Sequence, residues 1–173
     1  PEELQKNGWK VEFSTDFGAC AAKVKAGGGN CEIFHFHQLE PFYHCRGGSA
    51  AEVRRRADKL LDDLRELKRL GAKLVWTQHN PQPHDRTFSE VDDYVSAAAA
   101  RIMDHIVVMG GVARSRMRAA APGRPISVVR HPSYAGCYGP RVPKKEARRI
   151  VEITEDGFWF GAVGEIKPYK GLE

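Results

Sequence analysis

Two histidine-containing stretches carry the side chains best suited to chemistry. In the first, His79 and Asn80 follow the β-rich run at 73–77 and precede a proline-rich loop. An imidazole at such a position can orient hydroxyl groups and stabilise positive charge that develops on a substrate. The alternative is a loop histidine that caps backbone groups. We predict that His79 and Asn80 belong to a site.

The second stretch is a His-x-His pair, His35 and His37, at the end of an earlier apolar run. Side chains two residues apart lie on the same face of a strand, and such a pair can bind zinc. His44 and Cys45 are nearby, but no third ligand stands at metal spacing. The pattern therefore favours a strand end over a metal site, and we expect no metal.

A third candidate lies near the last residues, where Lys167 and Lys170 flank a Pro-Tyr pair in a glycine-containing turn. A turn of this kind normally opens a helix. Backbone N–H groups at a helix amino terminus and two ammonium groups suit a diphosphate, because they act on the same oxygens. The sequence thus predicts a diphosphate-binding turn.

Alternating helix and strand patterns position these side chains. Apolar residues at three- and four-residue steps predict a helix over 52–70, and another helix is predicted from Ser89 to Met103. Strands are predicted at 9–15, 31–37, 73–77, 105–109, 125–130 and 157–163, and further helices at 1–8, 111–120 and 143–152. This alternation predicts an α/β fold whose parallel sheet has helices on both faces. Ligands of such sheets bind beyond the carboxyl ends of the strands.

Composition and charge narrow the class of protein. The chain has 173 residues, is 42% hydrophobic and carries a formal charge of +5, which suits one globular domain. Its basic residues are interleaved with acidic ones, and no aromatic series could stack on bases, so we expect no nucleic acid partner. Scattered cysteines and the lack of a signal-peptide pattern predict reduced thiols in a cytoplasmic protein.

Five segments, taken in order, resemble the amino-terminal half of bacterial glycosyltransferase family 4 enzymes. They are CEIFHFHQLEP, LVWTQHNPQPHD, DHIVVMGGVARSRM, ISVVRHPSYAGCYGP and FWFGAVGEIKPYKGLE. The resemblance implies a GT-B fold, in which two Rossmann-like domains face each other across a cleft. The first domain holds the acceptor and the second holds the nucleotide sugar. The implied activity is retaining sugar transfer to a glycan or lipid-linked acceptor in bacterial polysaccharide or glycolipid assembly.

The resemblance also implies roles for individual residues. His79 would line the active site beside the transferred sugar, and no cofactor is implied besides the nucleotide-sugar substrate. The implied acceptor-binding residues are His37, Glu40, Asn80, His131 and Tyr134, and the implied donor phosphate-binding residues are Gly164, Lys167 and Lys170. Glu165 stands where many members have arginine, so Lys167 would supply the missing cation.

The same resemblance sets the expected domain organisation. Residues 1–150 would form a Rossmann-like acceptor-side domain that lacks its first strand, and 151–173 an interdomain segment with the start of a truncated nucleotide-sugar-binding domain. We expect such a fragment to transfer no sugar by itself. Its apolar segment 158–163 would associate with a second copy. The helix over 52–70 could dock on the inner face of a membrane, although its apolar stripe is better explained as core.

Two other interpretations stay open at this point. One is a nucleotide-sugar epimerase, which can share the two-domain architecture. The other belongs to a different class, a noncatalytic module that binds nucleotides or polyanions. The excess of basic residues favours that module only weakly, because acidic residues stand among them.

Overall fold

The structure is a computed structural model that describes residues 2–27, 32–45, 47–80, 82–83, 87–134, 136–153, 157–161, 164 and 171. The chain forms two compact units, Pro1–His131 and Pro132–Glu173. The first unit contains a sheet with helices, and the described part of the second contains one helix, Lys144–Ile150. The domain boundary that the sequence predicts after residue 150 stays a prediction.

A parallel sheet of four strands organises the first unit. Its strands are β1 (Ile33–Phe36), β2 (Lys73–Gln78), β3 (His105–Val108) and β4 (Ile126–Val128), and they lie side by side in chain order. The register pairs Phe36 with Trp76 and Trp76 with Ile106. All four strands therefore end at the same edge, which is where the sequence predicts a ligand crevice.

Helices connect the strands and cover the sheet. In chain order they are α1 (Glu2–Lys6), α2 (Phe17–Ala26), α3 (Glu40–Tyr43), α4 (Ala50–Arg69), α5 (Ser89–Ile102), α6 (Gly111–Ala120) and α7 (Lys144–Ile150). The crossover helix α4 packs against α5, and α5 packs against α6, so these helices form one layer. The α/β class, the all-parallel sheet and the flanking helices are confirmed.

The strands bury mainly the face that meets this layer. Leu74, Ile106 and Val108 are fully buried, whereas Val75 and Val107 on the opposite face are half-buried. The crossover helices between β1 and β4 are α4, α5 and α6, and they contact one another in series. Strands that follow one another in a single direction, each joined by a right-handed crossover, place their helices on the same side.

Local sequence sets the limits of α4. The Ser49 hydroxyl accepts a hydrogen bond from the Glu52 N–H at 3.2 Å, which satisfies one of the free amides of the first turn. Gly71 follows the helix with a φ of +97°, a left-handed conformation that favours glycine. The apolar stripe of α4, including Leu61, Leu64 and Leu67, lies in the core. The stripe is therefore not an exposed surface that could dock on a membrane.

The strand predicted over 9–15 is wrong. These residues form no regular element, and Trp9 and Phe13 are exposed. A strand is stabilised by pairing with a neighbour rather than by its own sequence, and this stretch pairs with no strand of the described sheet. The chain instead enters α2, a helix that the prediction omitted. The Asp16 carboxylate caps α2 by accepting a hydrogen bond from the Ala19 N–H at 3.1 Å.

The strand predicted over 157–163 is also wrong for its described part, 157–161, which forms no strand. Phe158 is 99% exposed and Phe160 is 100% exposed. The described residues of the second unit contain no strand with which this segment could pair. Residues 162 and 163 lie outside the described part of the chain.

Self-association through 158–163 stays a prediction, and the exposed rings supply its physical reason. Burying one phenylalanine side chain is worth roughly 1.5–3 kcal/mol, so a contact between two copies would gain from both rings. We expect the sedimentation coefficient of the chain to rise with protein concentration. The double variant Phe158→Ser/Phe160→Ser should stay monomeric over the same range. Identical sedimentation of the two proteins would contradict the prediction.

Among the described residues, no helix combines the length and the apolar composition that a bilayer crossing requires.

Candidate functional site

A cavity of about 230 Å³ opens beyond the carboxyl ends of β1 and β2. The buried side chains of Trp76 and Gln78 line it, together with the exposed His37, His79 and Asn80. Glu40, the first residue of α3, also contributes to its wall. Four residues that the sequence predicts as site residues, His37, Glu40, His79 and Asn80, thus lie around one cavity.

The parallel register brings the two histidine stretches together. Phe36 pairs with Trp76, so each strand continues into a histidine at the same edge of the sheet. His37 Nδ1 and His79 Nε2 are 3.1 Å apart, and their rings stack with centroids separated by 5.4 Å. A hydrogen bond between imidazoles needs one protonated and one unprotonated nitrogen. The hydrogen bond between His37 and His79 therefore requires that at least one of the two rings is neutral.

A third imidazole extends this pair into the sheet. The rings of His35 and His37 lie 4.4 Å apart, and His35 Nε2 is hydrogen bonded to the buried Thr77 hydroxyl at 2.7 Å. The sequence predicted only a strand-end position for His35, and the bond to Thr77 gives its ring a polar partner there. Partial burial, followed by the charges of His37 and His79, lowers the pKa of His35. Partial burial and His79 likewise lower the pKa of His37.

Lowered histidine pKa values predict that stability falls in acid. Below the ordinary value of about 6.5, the unfolded chain binds protons at His35 and His37 more readily than the folded protein does, so the free energy of unfolding decreases. The decrease ends once the pH is below the folded-state values. One titrating group can change the free energy of unfolding by at most about 1.4 kcal/mol per pH unit. Solvent screening keeps the change caused by each of the two histidines well below this limit.

Urea unfolding from pH 8 to pH 5 measures this effect. The variant His35→Gln can still bond to Thr77 but does not titrate, so the slope of its stability against pH should be shallower than that of the wild-type protein. If the slope is the same in His35→Gln as in the wild-type protein, the titration of His35 does not cause the loss of stability in acid.

One lining residue has a buried acceptor without a partner. Gln78, the last residue of β2, is 3% exposed, and its Oε1 atom has no hydrogen-bond partner. A buried acceptor without a donor costs on the order of 1–3 kcal/mol.

A buried carboxylate contacts one of the lining residues, His44. Asp92 in α5 is 4% exposed, and its Oδ1 atom accepts hydrogen bonds from the Tyr43 hydroxyl at 2.8 Å and from His44 Nε2 at 2.7 Å. Burial, followed by the hydrogen bond to Asp92, raises the pKa of Tyr43. His44 lines the cavity, whereas Tyr43 is buried beside it.

The sequence predicted no site role for His44, Asp92 or Gln78, and Asp92 was placed only within the helix predicted from Ser89 to Met103. One signal was present, because Asp92, Val95 and Ala99 share a helix face whose other members are apolar. An acid on that stripe must be buried and needs partners. Nothing in the chain order showed that these partners would be Tyr43 and His44.

The other predicted site residues lie elsewhere. His131 is exposed after β4, at the sheet edge remote from β1, and is not among the described residues that line the cavity. Tyr134 belongs to the second unit and is exposed. Gly164 has a φ of +125° and is exposed. Lys167 and Lys170 fall outside the described residues, so the diphosphate-binding turn stays a prediction.

The described residues contain no cluster of three or more His, Cys, Asp or Glu side chains that could hold a metal ion. His35 contacts the Thr77 hydroxyl, and His37 contacts His79. Comparisons of the chain with protein-family models, with curated proteins and with solved structures found no match.

Proposed function

We propose that this chain is the acceptor-side part of a retaining glycosyltransferase and that its cavity binds hydroxyl groups of a glycan or glycolipid acceptor. The observation that carries the proposal is the cavity itself, where His37, Glu40, His79 and Asn80 meet. The resemblance to glycosyltransferase family 4 implied a site role for each of these residues. Their placement around one opening at the expected edge of the sheet supports that assignment.

The chemistry of the lining favours a neutral, hydroxyl-rich ligand. The Glu40 carboxylate is an acceptor in the lining, and the lowered pKa of His37 favours its neutral ring. Neither Lys nor Arg occurs among the described lining residues. A phosphate carries negative charge, which the Glu40 carboxylate repels. A sugar offers hydroxyl groups that can donate to the acceptors, so the polyanion-binding alternative is disfavoured at this cavity.

His79 would act by position rather than as a general base. In retaining transfer, the acceptor can attack from the side of the leaving group, and the departing phosphate takes the acceptor's proton. The imidazole then holds hydroxyl groups in place and stabilises the positive charge that develops on the sugar. His37 fixes the His79 ring through their 3.1 Å contact.

The donor side of the proposal rests on the sequence. A nucleotide sugar would be held through Gly164, Lys167 and Lys170, with transfer taking place in the cytoplasm or at the inner face of the membrane during bacterial polysaccharide synthesis. Assays of sugar transfer and of epimerisation, both with the same nucleotide sugars, distinguish this proposal from the epimerase interpretation. Transfer to an acceptor supports the proposal, and epimerisation without transfer contradicts it.

Binding to the cavity is tested by nuclear magnetic resonance. We expect methyl glycosides of glucose, galactose, mannose or N-acetylglucosamine to shift the ring signals of His37 and His79 in a saturable way. Inorganic phosphate should leave these signals unchanged at the same concentrations. Saturable shifts with phosphate, and none with any glycoside, would overturn the proposed acceptor site.

A further inference from the structure

A second cavity, of about 430 Å³, lies between the first turn of α2, the short helix α3 and the middle of α4. Phe17 of α2, Phe42 of α3 and the buried Leu60 of α4 form its apolar wall. The rings of Phe17 and Phe42 meet edge to face, with their centroids 5.0 Å apart. Both rings are only partly buried, so the cavity offers a ligand an aromatic surface.

Four charged side chains line the same cavity, and their formal charges cancel. Two are carboxylates, Asp16 and Asp63, and two are cations, Arg56 and Lys59. Each cation is already paired, Arg56 with Glu52 at 3.0 Å and Lys59 with Asp63 at 2.6 Å. Because the cations are paired and the carboxylates repel anions, this lining favours a ligand without net charge.

These charged groups also keep hydrogen-bonding capacity beyond the two ion pairs. A guanidinium has five N–H donors, an ammonium has three, and a carboxylate accepts at two oxygens. In the described part of the chain, Arg56 bonds to Glu52 through Nη2, and Lys59 bonds to a single oxygen of Asp63. Donors and acceptors thus stand beside an apolar surface. A sugar matches both, because its ring carries C–H groups and its hydroxyl groups donate and accept.

The helix α3 borders both cavities. Glu40 and Pro41 line the cavity beyond β1 and β2, whereas the next residue, Phe42, lines the second cavity. A helix of four residues is only about 6 Å long, so the two cavities lie beside one short element. Separate sugar residues of one glycan therefore have a binding surface on each side of α3.

We infer that the second cavity is a sugar-binding subsite, in which a neutral sugar residue packs on Phe17 and Phe42 and hydrogen bonds to Arg56. The inference rests on the proposed function and deepens it, because it adds a site for a further sugar residue of the acceptor. An alkyl chain is a poorer occupant, since it would remove water from four charged side chains and return no hydrogen bond to them.

Nuclear magnetic resonance tests the subsite in the wild-type chain. We expect at least one of the methyl glycosides of glucose, galactose, mannose or N-acetylglucosamine to shift the ring signals of Phe17 and Phe42 in a saturable way. Inorganic phosphate should not shift them. Shifts with phosphate but with no glycoside would overturn the inference, and so would the absence of any shift. Shifts with octyl glucoside, below its micelle-forming concentration, but with no methyl glycoside would assign the cavity to alkyl chains instead.

Arg56→Gln and Arg55→Gln form a matched pair of variants. Both arginines are exposed on α4, but only Arg56 is among the described residues that line the second cavity. The dissociation constant read from the Phe17 and Phe42 signals should rise about fivefold in Arg56→Gln, the effect of one lost hydrogen bond. It should stay unchanged in Arg55→Gln. Equal values in the two variants would overturn the role of Arg56.

The ring signals of His37 and His79 distinguish this inference from the proposed function. Glycoside shifts at His37 and His79 alone would overturn the second subsite and leave the proposed function in place. Glycoside shifts at Phe17 and Phe42 alone would support the subsite and contradict the proposed acceptor site. In Arg56→Gln, the dissociation constant read from the two histidines should equal that of the wild-type protein. An equal rise at all four rings would mean that Arg56 supports the fold and does not contact the sugar.

Discussion

Replacing His79 with alanine should reduce the rate of sugar transfer about 100-fold in a protein that joins this chain to a complete donor-binding domain. Removing one group that stabilises developing charge commonly costs a factor of about 10²–10³ in rate. The same change deprives His37 of its hydrogen-bonded partner, so the remaining ring is no longer held in place. Initial rates at saturating nucleotide sugar, measured beside thermal denaturation, separate lost chemistry from lost folding.

His105→Ala is the matched control for this experiment. His105 is the first residue of β3, is half-buried and bonds to the Ser127 hydroxyl at 2.9 Å, but it is not among the described residues that line the cavity. It should lose some stability and keep its transfer rate. A folded His79→Ala protein that transfers sugar at the wild-type rate would remove His79 from the site.

The largest effect on stability is expected from Leu64→Ala. Leu64 lies in the middle of α4 and is fully buried. Deleting three buried carbon atoms removes their transfer free energy and leaves a cavity, so the free energy of unfolding should fall by about 3–5 kcal/mol. That loss is a large fraction of the roughly 5–15 kcal/mol that stabilises a typical domain. The midpoint of thermal unfolding should drop by roughly 10 °C.

Leu4→Ala provides the same chemical change on a helix that buries nothing. Leu4 is 52% exposed in α1, so its replacement should change the free energy of unfolding by less than about 0.5 kcal/mol. Chemical denaturation of the two variants gives both values. A loss in Leu64→Ala no larger than in Leu4→Ala would mean that α4 does not pack against the sheet.

The sequence predicted the elements whose signal is local. The helices α4, α5 and α6 were found within one or two residues of their limits, because apolar periodicity and capping residues are read from the chain itself. The strand predictions at 9–15 and 157–161 failed because a strand requires a neighbour, and the identity of the neighbour is not contained in the strand.

In the candidate site as well, some residues could be predicted from the chain itself and others could not. His79 and Asn80 were predicted from a general rule, that parallel strands point their carboxyl ends at one crevice, whereas His37 and Glu40 were implied by the family resemblance. The link between His44 and Asp92 joins positions 48 residues apart, and no spacing rule connects a loop histidine to an acid in a helix. Such a pair becomes visible only once α3, α4 and α5 are packed together.

The position of β1 at the edge of the described sheet has a consequence for motion. An edge strand is hydrogen bonded on one side only, so its amide hydrogens should exchange with deuterium faster than those of β2 and β3. Each local opening of β1 separates His37 from His79 and takes the cavity apart. A ligand that contacts both β1 and β2 should therefore slow amide exchange in β1. The exchange rate of β1 would then measure how much of the site is occupied.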